Sequence, residues 1–410
     1  MRQSNLSDTI PRFPRSVHGL PGLAQSAAPG YAAEVSAIRV REAASASDVR
    51  KFVLFPRELY RDDPLWAPPI WADERRAYSP RTNAILSHSD YALLLAENSG
   101  RVVGRSLVYV DNNFNAYYKA RTGFFGAFEC VQDPEAARAL DEAACRWLAA
   151  RGMDRVRGPI HPVAESWGFL QSGFDTSPVF MASYNPPYYN AFMDRLGYAK
   201  AKDLLAYEGS PEKGYRIPAR FEGFAEKLLA RRPGLSVRKL SLKDLERDAE
   251  AVWSISNIAV ADNWGYVPLD RGELMDMLKK LKPIADPEAV WFVEDGGKPV
   301  GYALGFPDLN IVLKRIGGRL FPFGFLHVLL GAKKVKDYRL FGLAVLPQYH
   351  GLGLDVLLYV QLYRSLSQRI RRLEANYILE DNIKIRNALE KLDLELVKVY
   401  RVYEKPLAAR

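Results

Sequence analysis

A short stretch near residue 350 changes from apolar to glycine-rich and back to apolar. Residues 340–347 read LFGLAVLP, residues 348–353 read QYHGLG, and residues 354–363 read LDVLLYVQLY. This order predicts a buried strand, a turn and the start of a helix. Such a turn leaves backbone N–H groups unpaired at the positive end of a helix dipole, where a phosphate can bind. An ordinary left-handed turn ahead of a core helix is the alternative.

The chain contains an internal repeat. Residues 92–104 (ALLLAENSGRVVG) match residues 289–301 (AVWFVEDGGKPVG) at an offset of 197, and both predict a β-hairpin with a glycine turn. The same offset pairs Asn185 with Asn382 near the other end of the unit. One offset at both ends predicts a duplicated domain rather than a short solenoid repeat.

Within each copy the pattern predicts a helix, a β-hairpin, a strand, a helix, a strand, a helix and a strand. We therefore expect an α/β fold of the α+β type, with a mixed sheet, in two tandem domains. At 410 residues the chain is long enough for two cores. The expected organisation is a disordered tail at 1–35, an N-terminal domain at 36–208, a linker at 209–235 and a C-terminal domain at 236–410.

The two copies differ at the phosphate turn. Residues 125–140 align with residues 341–356, which places Asp133, Pro134 and Glu135 where the second copy has its glycine turn. Asp followed by Pro is a good helix start, but a carboxylate there repels a pyrophosphate. We expect the N-terminal copy to have kept the fold and lost the phosphate site.

The pattern Gln-x-x-Gly-x-Gly between a strand and a helix resembles the acyl-CoA loop of the GNAT superfamily of N-acyltransferases. The element order of both copies resembles that superfamily from residue 38 to residue 406. The resemblance implies an enzyme that uses acyl-CoA as co-substrate. The residues implied to contact acyl-CoA are Leu343, Val345, Gln348, Tyr349, His350, Gly351, Leu352, Gly353 and Asn382. The tyrosine that usually protonates the leaving thiolate falls at Leu389 here, so the chain departs from the pattern at that position.

Several phrases resemble a bacterial branch of tandem GNAT proteins that includes ceramide synthases. They are DPLWAPP (63–69), RGPIHP (157–162), GFDTSP (173–178), YNPPYY (184–189) and NWGYVPL (263–269). The branch implies transfer of a long acyl group to a sphingoid or other lipid amine. Two other functions stay open: transfer of a short acyl group to a small amine or a protein lysine, and a catalytically silent scaffold that binds acyl-CoA.

Two regions are candidates for acceptor chemistry. The first copy has a turn-rich insertion at 157–189, and a turn follows the first helix of the second copy near residue 262. Acid–base candidates are Glu165, His161 and Asp262, and substrate-binding candidates are Trp167, Asn263, Trp264 and Tyr266. The alternative is structural, because turns are often packed by their own aromatic and polar side chains.

A second insertion, at 311–340, is apolar and basic, with seven Lys or Arg against one Asp. It is too short and too interrupted by charge to span a bilayer. It predicts either core elements with solvated charges, or an interfacial lid that covers a long acyl chain or rests on an anionic membrane. No RNA-binding motif, zinc spacing or recognition-helix pattern is present, so we expect no nucleic-acid partner and no metal.

The composition and the N-terminal residues indicate in which compartment we expect the protein. Hydrophobic residues make up 48% of the chain, and its net charge is +9. Cys130 and Cys145 have no metal-ligand spacing and are expected to be buried, reduced thiols. The first 35 residues lack the apolar core of a signal peptide. We expect a cytoplasmic enzyme, either free or peripheral at the inner membrane face.

Overall fold

A computed structural model describes residues 38–162, 166–213, 215–268 and 270–408. The expected tail at 1–35 lies outside the described residues. The strands are β1 (Arg39–Glu42), β2 (Ser89–Asn98), β3 (Arg101–Asp111), β4 (Thr122–Cys130), β5 (Arg155–Gly158), β6 (Phe169–Ser172), β7 (Ala199–Gly209), β8 (Leu235–Lys239), β9 (Val290–Asp295), β10 (Lys298–Pro307), β11 (Asp337–Val345), β12 (Arg372–Leu379) and β13 (Glu395–Pro406). The helices are α1 (Ala46–Leu59), α2 (Trp71–Ala77), α3 (Ala84–Ser87), α4 (Asn112–Tyr118), α5 (Pro134–Ala149), α6 (Tyr188–Arg195), α7 (Ala219–Arg231), α8 (Leu245–Ala259), α9 (Arg271–Leu281), α10 (Asn310–Ile316), α11 (Gly324–Ala332), α12 (Leu354–Leu366) and α13 (Ile383–Glu390).

All strands of the described residues join one mixed, 13-stranded sheet. Its order is β1-β2-β3-β4-β5-β13-β7-β12-β11-β10-β9-β8, and β6 also pairs with β13. The order contains a strand exchange between the two copies. The last strand of the second copy, β13, pairs with β5 of the first copy, while the last strand of the first copy, β7, pairs with β12 of the second. The fold class is the predicted mixed α/β one, and the two copies share a single sheet.

The internal repeat is visible as matching elements. The first hairpin joins β2 to β3 and the second joins β9 to β10, and both are antiparallel pairs that continue into the next strand of their copy. Helix α5 follows β4 in the first copy, and helix α12 follows β11 in the second. These elements confirm the duplication read from the sequence.

The segment at 209–235 differs from the expected linker, because most of it is structured. It contains a 3-10 turn at Pro211–Lys213, and then α7. Phe221, Leu228 and Leu229 of α7 pack against the core that surrounds α12. An amphipathic helix buries one face wherever an apolar surface is available, so this segment belongs to the second copy's core.

Helices α5 and α12 cover one side of the sheet. Leu354, Leu357 and Leu358 of α12 are at most 1% exposed and pack with Val293 and Ala303 of the hairpin below. Burial of each such leucine contributes about 2 kcal/mol to folding. Within the described parts of the chain, no helix combines the length and the apolar character needed to cross a bilayer.

Candidate functional site

The loop between β11 and α12 has the predicted glycine geometry. Gly351 and Gly353 have φ of +78° and +80°, and α12 begins at Leu354. Both values lie in the left-handed region that residues with a Cβ rarely adopt. A Cβ on Gly351 would meet nothing within 4 Å, so this part of the loop faces open space. A Cβ on Gly353 would lie 2.4 Å from the partly exposed ring of Phe224, so a side chain at this position would have to displace that ring.

Two side chains of the loop attach it to the sheet. The Tyr349 hydroxyl donates to Asp295 Oδ2 at 3.0 Å. His350 Nε2 lies 2.9 Å from the carbonyl oxygen of Val345, so the imidazole contacts the strand that precedes the loop. Gln348 is exposed. The loop is therefore fixed in position while its glycine-rich surface stays accessible.

Strands β11 and β12 separate beside this loop. They are parallel neighbours through four residue pairs, and the pairing ends at Leu340 and Ala375. Farther along, β12 pairs with β7 at Ile378 and Leu379. The second half of β11 therefore has a paired neighbour, β10, on one side and a gap on the other.

Backbone groups of β11 face that gap. The Leu346 N–H donates to the Val300 carbonyl of β10 at 2.9 Å. Because successive residues of an antiparallel strand alternate in direction, the N–H groups of Leu343 and Val345 point away from β10 and into the gap. The contact of His350 with the Val345 carbonyl lies on the same side. Free N–H groups of this kind can bind an extended amide chain or a developing oxyanion.

The corresponding gap in the first copy is filled. Strands β4 and β5 also pair briefly and then separate. Here the Ile160 N–H donates to the Phe125 carbonyl at 2.8 Å, and a Cβ on Gly126 would lie 2.4 Å from the Ile160 carbonyl oxygen. The aromatic rings of Phe128, Phe169 and Tyr189 pack on one another beside it. The first copy therefore leaves no comparable space between its strands at this position.

The start of α5 is capped by a carboxylate, as the sequence predicted. Asp133 Oδ1 accepts from the N–H groups of Glu135 and Ala136 at 2.9 and 3.4 Å, and Pro134 is the first residue of the helix. These are the N–H groups that an incoming phosphate would need. In the first copy they are already paired with a negative charge.

The insertion of the first copy crosses onto the sheet of the second. The Phe180 N–H donates to Asp308 Oδ1 at 2.8 Å, and Arg339 Nη1 donates to the Phe180 carbonyl at 2.9 Å. The Ser183 N–H donates to the Tyr377 hydroxyl at 2.9 Å. Neighbouring residues of a strand face opposite sides of a sheet. Because Leu340 packs in the core around α12, Arg339 and the insertion above it lie on the opposite face.

Beneath the insertion lies a buried charged cluster that sequence analysis did not identify. Arg339 Nε donates to Asn376 Oδ1 at 2.5 Å, and Asn376 Nδ2 donates to Glu374 Oε1 at 2.6 Å. Lys398 Nζ donates to Thr176 Oγ1 at 2.5 Å and lies 3.8 Å from Glu374 Oε2. The side chains of Arg339, Glu374 and Lys398 are 0% exposed. Burial raises the pKa of Glu374 and lowers the pKa of Lys398, and the attraction between the two charges opposes both shifts.

None of the three predicted acid–base residues belongs to this buried cluster. His161 Nε2 lies 3.1 Å from the Tyr78 hydroxyl, which donates to Glu74 Oε1 at 2.6 Å, so this bond is made within the first copy. Glu165 lies outside the described residues. Asp262 is exposed on the turn after α8, in the second copy.

The structure brings two of the predicted substrate-binding residues together across the copies. The ring centroids of Trp167 and Trp264 are 6.3 Å apart, in an edge-to-face arrangement. The Arg157 guanidinium lies 5.0 Å from the Trp264 ring centroid, within the range of a cation–π contact. Trp167 also packs with Tyr377 and Tyr400, near the place where β12 leaves β11.

The turn that carries Trp264 is held by the other predicted residues. The Asn263 N–H donates to the Val260 carbonyl at 3.0 Å and closes the turn. The Tyr266 hydroxyl donates to the Asn257 side chain, and its carbonyl accepts from the Tyr118 hydroxyl of the first copy at 2.8 Å. The backbone of Asn263 and both the carbonyl and the side chain of Tyr266 therefore hold in place the turn that carries Trp264.

Two positions singled out near the end of the chain lie at the start of α13 and within it. Asn382 Oδ1 accepts from the Ile385 N–H at 3.3 Å and caps α13 at its start. Leu389, where a tyrosine would be usual, is 2% exposed in the core.

The two cysteines of the chain, Cys130 and Cys145, are both free thiols, and burial raises the pKa of each.

The insertion at 311–340 forms α10 and α11. Its inner face is a core element, since Val312 and Leu313 pack against Val328 and Ala332. Its outer face is exposed and carries apolar side chains. The expected core elements therefore hold for the inner face, and the interfacial lid stays a prediction.

A buried carboxyl group in the first copy has a raised pKa. The Tyr60 and Tyr189 hydroxyls donate to Glu129 Oε2 at 2.5 and 2.9 Å. Burial raises the pKa of Glu129 from 4.5 to about 7, and the nearby charge of Arg105 opposes that rise. A carboxyl whose pKa is higher in the folded state stabilises the fold at low pH, and this stabilisation is lost as the pH rises through the folded pKa.

We expect Glu129→Gln to change the pH dependence of folding. Between about pH 5 and pH 8 the natural chain should lose roughly 2 kcal/mol of unfolding free energy relative to the variant, because only Glu129 must ionise in a largely enclosed site. Urea unfolding at both pH values measures this difference. Glu135→Gln, at an exposed position on α5, is the matched control and should show no such trend. The same free-energy difference between Glu129→Gln and the natural chain at both pH values would contradict the shifted pKa.

Comparison with known proteins defines the family. No family model matches the chain. It is 31% identical over 384 residues to the bacterial ceramide synthase of Caulobacter vibrioides, covering 92% of this chain and 98% of the relative. It is 30% identical over 377 residues to protein YghO of Escherichia coli, covering 90% and 95%.

Solved structures show the same fold at lower identity. A tandem GNAT protein from the clavulanic acid biosynthesis pathway has a TM-score of 0.56 and 12% identity, over 90% of this chain and 99% of that one. A GCN5-related N-acetyltransferase from Sphaerobacter thermophilus has a TM-score of 0.50 and 12% identity, over 90% and 96%. Acyl-CoA is the co-substrate that this fold family implies. The chain is therefore an acyltransferase that belongs to the tandem GNAT N-acyltransferases and resembles the branch of bacterial ceramide synthase.

Proposed function

We propose that residues 348–353 bind the pyrophosphate of acyl-CoA and that the gap between β11 and β12 receives its pantetheine arm. The accessible backbone at Gly351 supports the first part, because the positive end of the α12 dipole lies behind it. The N–H groups of Leu343 and Val345, which face the gap, support the second. Asn382, at the start of α13, is the further residue proposed to contact coenzyme A.

The first copy takes no acyl-CoA in this proposal. Its gap contains Ile160, and the start of α5 is paired with Asp133. Its part is to shape the acceptor side, since its insertion covers the face of β11 and β12 opposite α12. Trp167, from that insertion, and Trp264, from the second copy, flank the approach to the gap.

Bound acyl-CoA supplies a thioester carbonyl that a neutral amine can attack. The Leu343 N–H is the proposed donor to the developing oxyanion, a contact that strengthens in the transition state. His161 and Glu165 are the proposed bases, and Asp262 the proposed partner of the incoming ammonium. Leu389 offers no proton to the leaving thiolate, so that proton has to come from solvent or from another group.

We further propose a long-chain acyl donor and a lipid amine as acceptor, of the sphingoid kind. The observation that carries this is the 31% identical relative, whose name is bacterial ceramide synthase and which is matched over nearly its whole length. The exposed apolar face of the insertion at 311–340 agrees with an amphiphilic substrate. On this proposal the enzyme acts in the cytoplasm at the inner membrane face.

The experiment that tests the donor is thermal stabilisation by free coenzyme A and by acetyl-, octanoyl- and palmitoyl-CoA. A ligand that binds only the folded state raises the unfolding midpoint according to its concentration and affinity. We expect the shift to grow with chain length, because each further buried CH2 adds about 0.8 kcal/mol of binding. Turnover is then followed as release of the CoA thiol in the presence of sphinganine.

The outcomes separate three functions. Equal shifts with all four ligands would favour a short-chain acetyltransferase acting on a small amine or a protein lysine. A graded shift without turnover of any amine would favour a silent acyl-CoA-binding scaffold. No shift with any ligand would contradict the proposed donor site.

A further inference from the structure

The outer face of the second-copy insertion exposes apolar side chains at an unusual density. We use "α10–α11 hairpin" for residues 310–336. Phe321 and Phe323, in the turn between the two helices, are 82% and 66% exposed, and Leu330 is 63% exposed. The other exposed apolar residues of the hairpin are Ile311, Phe325, Leu326 and Leu329. Phe325, Leu326, Leu329 and Leu330 share one side of α11, and the ring centroids of Phe321 and Phe325 are 6.3 Å apart. An exposed apolar patch of this kind on a folded protein marks an interaction site.

The charged residues of the hairpin itself have one sign. Five basic residues of the hairpin are exposed: Arg315, Arg319, Lys333, Lys334 and Lys336. No Asp or Glu occurs between residue 311 and residue 336. The surface therefore combines aromatic and aliphatic side chains with a positive potential, and neighbouring carboxylates of its own segment do not neutralise it.

The hairpin is held firmly at its base. Trp71 Nε1 donates to the Gly317 carbonyl at 2.9 Å, and Lys314 Nζ donates to the Pro64 carbonyl at 2.7 Å. Both contacts come from the loop and helix after α1, in the first copy. The buried side of the hairpin packs on its own core, around Val312 and Val328. The exposed rings are thus presented on a fixed platform.

We propose that the α10–α11 hairpin docks on an anionic membrane surface. In this arrangement Phe321 and Phe323 enter the region between head groups and acyl chains, where aromatic side chains are favoured. Lys333 and Lys334 stay at the level of the lipid phosphates, each contributing attraction that falls off within a Debye length. Exposed phenylalanines and leucines combined with a basic segment that carries no carboxylate are the combination that interfacial membrane binding uses.

Docking on a membrane deepens the proposed function, because it would give the enzyme access to a lipid amine. Only this reason for docking rests on the proposed function. The docking itself depends on neither the glycine loop nor the gap. Binding to vesicles and binding of palmitoyl-CoA are therefore separate measurements. If the natural chain binds palmitoyl-CoA but does not bind anionic vesicles, the docking surface is rejected and the acyl-donor site stands.

The test is co-sedimentation of the full chain with vesicles of phosphatidylcholine and of phosphatidylcholine mixed with phosphatidylglycerol. We expect at least about tenfold tighter binding to the anionic vesicles, and weaker binding at high salt. Phe321→Ser with Phe323→Ser should weaken that binding at least about tenfold. Lys333→Gln with Lys334→Gln should weaken it about tenfold and reduce its salt dependence.

The matched control is Leu242→Ser with Lys243→Gln, at an exposed apolar–basic pair on the loop before α8. It should bind vesicles as the natural chain does. The proposal is overturned if the hairpin variants also bind like the natural chain, or if neutral and anionic vesicles bind equally. It is also overturned if the natural chain self-associates without lipid and the phenylalanine variant is monomeric, because a second copy would then cover the surface.

Discussion

Replacing Gly351 with Asp is expected to abolish binding of acyl-CoA while the protein stays folded. The position has a φ of +78° and open space around a Cβ, and Asp tolerates left-handed backbone better than most residues. The new carboxylate would face the proposed pyrophosphate site at the start of α12 and repel it. We expect the Kd for palmitoyl-CoA to rise at least about a hundredfold, since two like charges replace a favourable backbone contact. Isothermal titration calorimetry measures this change, and the unfolding midpoint without ligand reports on the fold.

Gly351→Asn is the control for this substitution. Asn has nearly the same size and the same tolerance of positive φ, but no charge. It should bind palmitoyl-CoA clearly more tightly than the Asp variant, and the ratio of the two dissociation constants measures the electrostatic part. If the Asp variant keeps the affinity of the natural chain, the phosphate site lies elsewhere.

Separating the two copies after residue 213 is expected to unfold both. A fragment of residues 1–213 lacks β13, which lies between β5 and β7, and the remaining fragment lacks β7 beside β12. The first fragment would leave β7 without a neighbour and one edge of β5 unpaired, and the second would leave β13 without a neighbour and one edge of β12 unpaired. Buried backbone groups without partners are costly. We expect neither fragment alone to show a cooperative unfolding transition by calorimetry, and the two expressed together to form a one-to-one complex.

An intact chain with a protease site inserted after Lys213 is the control. Cutting it after folding should leave the two parts associated and able to bind palmitoyl-CoA, because the strand pairing is already made. A cooperative transition in the isolated fragment of residues 1–213 would show that the first copy closes its own sheet, in conflict with the pairing of β5 and β13.

The glycine loop, the duplication and the altered first copy could be predicted because each is local in the sequence. Positive φ at Gly351 and Gly353 follows from glycine in a strand–turn–helix pattern. The Asp133 cap follows from Asp before Pro at a helix start. The duplication follows from two similar hairpin sequences, at residues 92–104 and 289–301, which lie 197 residues apart.

The strand exchange could not be predicted, because β7 and β13 have the same pattern and either could pair with β5. Alternation tells which face of a strand is apolar and does not tell which strand lies beside it. The buried cluster of Arg339, Glu374 and Lys398 had a weak signal, because each of these charged residues stands between two apolar or aromatic neighbours in its strand. Its significance depends on the first-copy insertion that covers it, and that contact is between distant parts of the chain.

Residues 180–183 of the first copy cross onto the second copy's sheet, and this affects how substitutions can change the protein during evolution. The segment that covers β11 and β12 is encoded in the first half of the gene, whereas the loop at 348–353 is encoded in the second. Substitutions in the first half can alter the covered face without disturbing the helix start that follows the loop. On the proposed roles of the two copies, donor affinity and acceptor choice then become separately heritable traits, which favours retention of a first copy whose helix start is capped by Asp133.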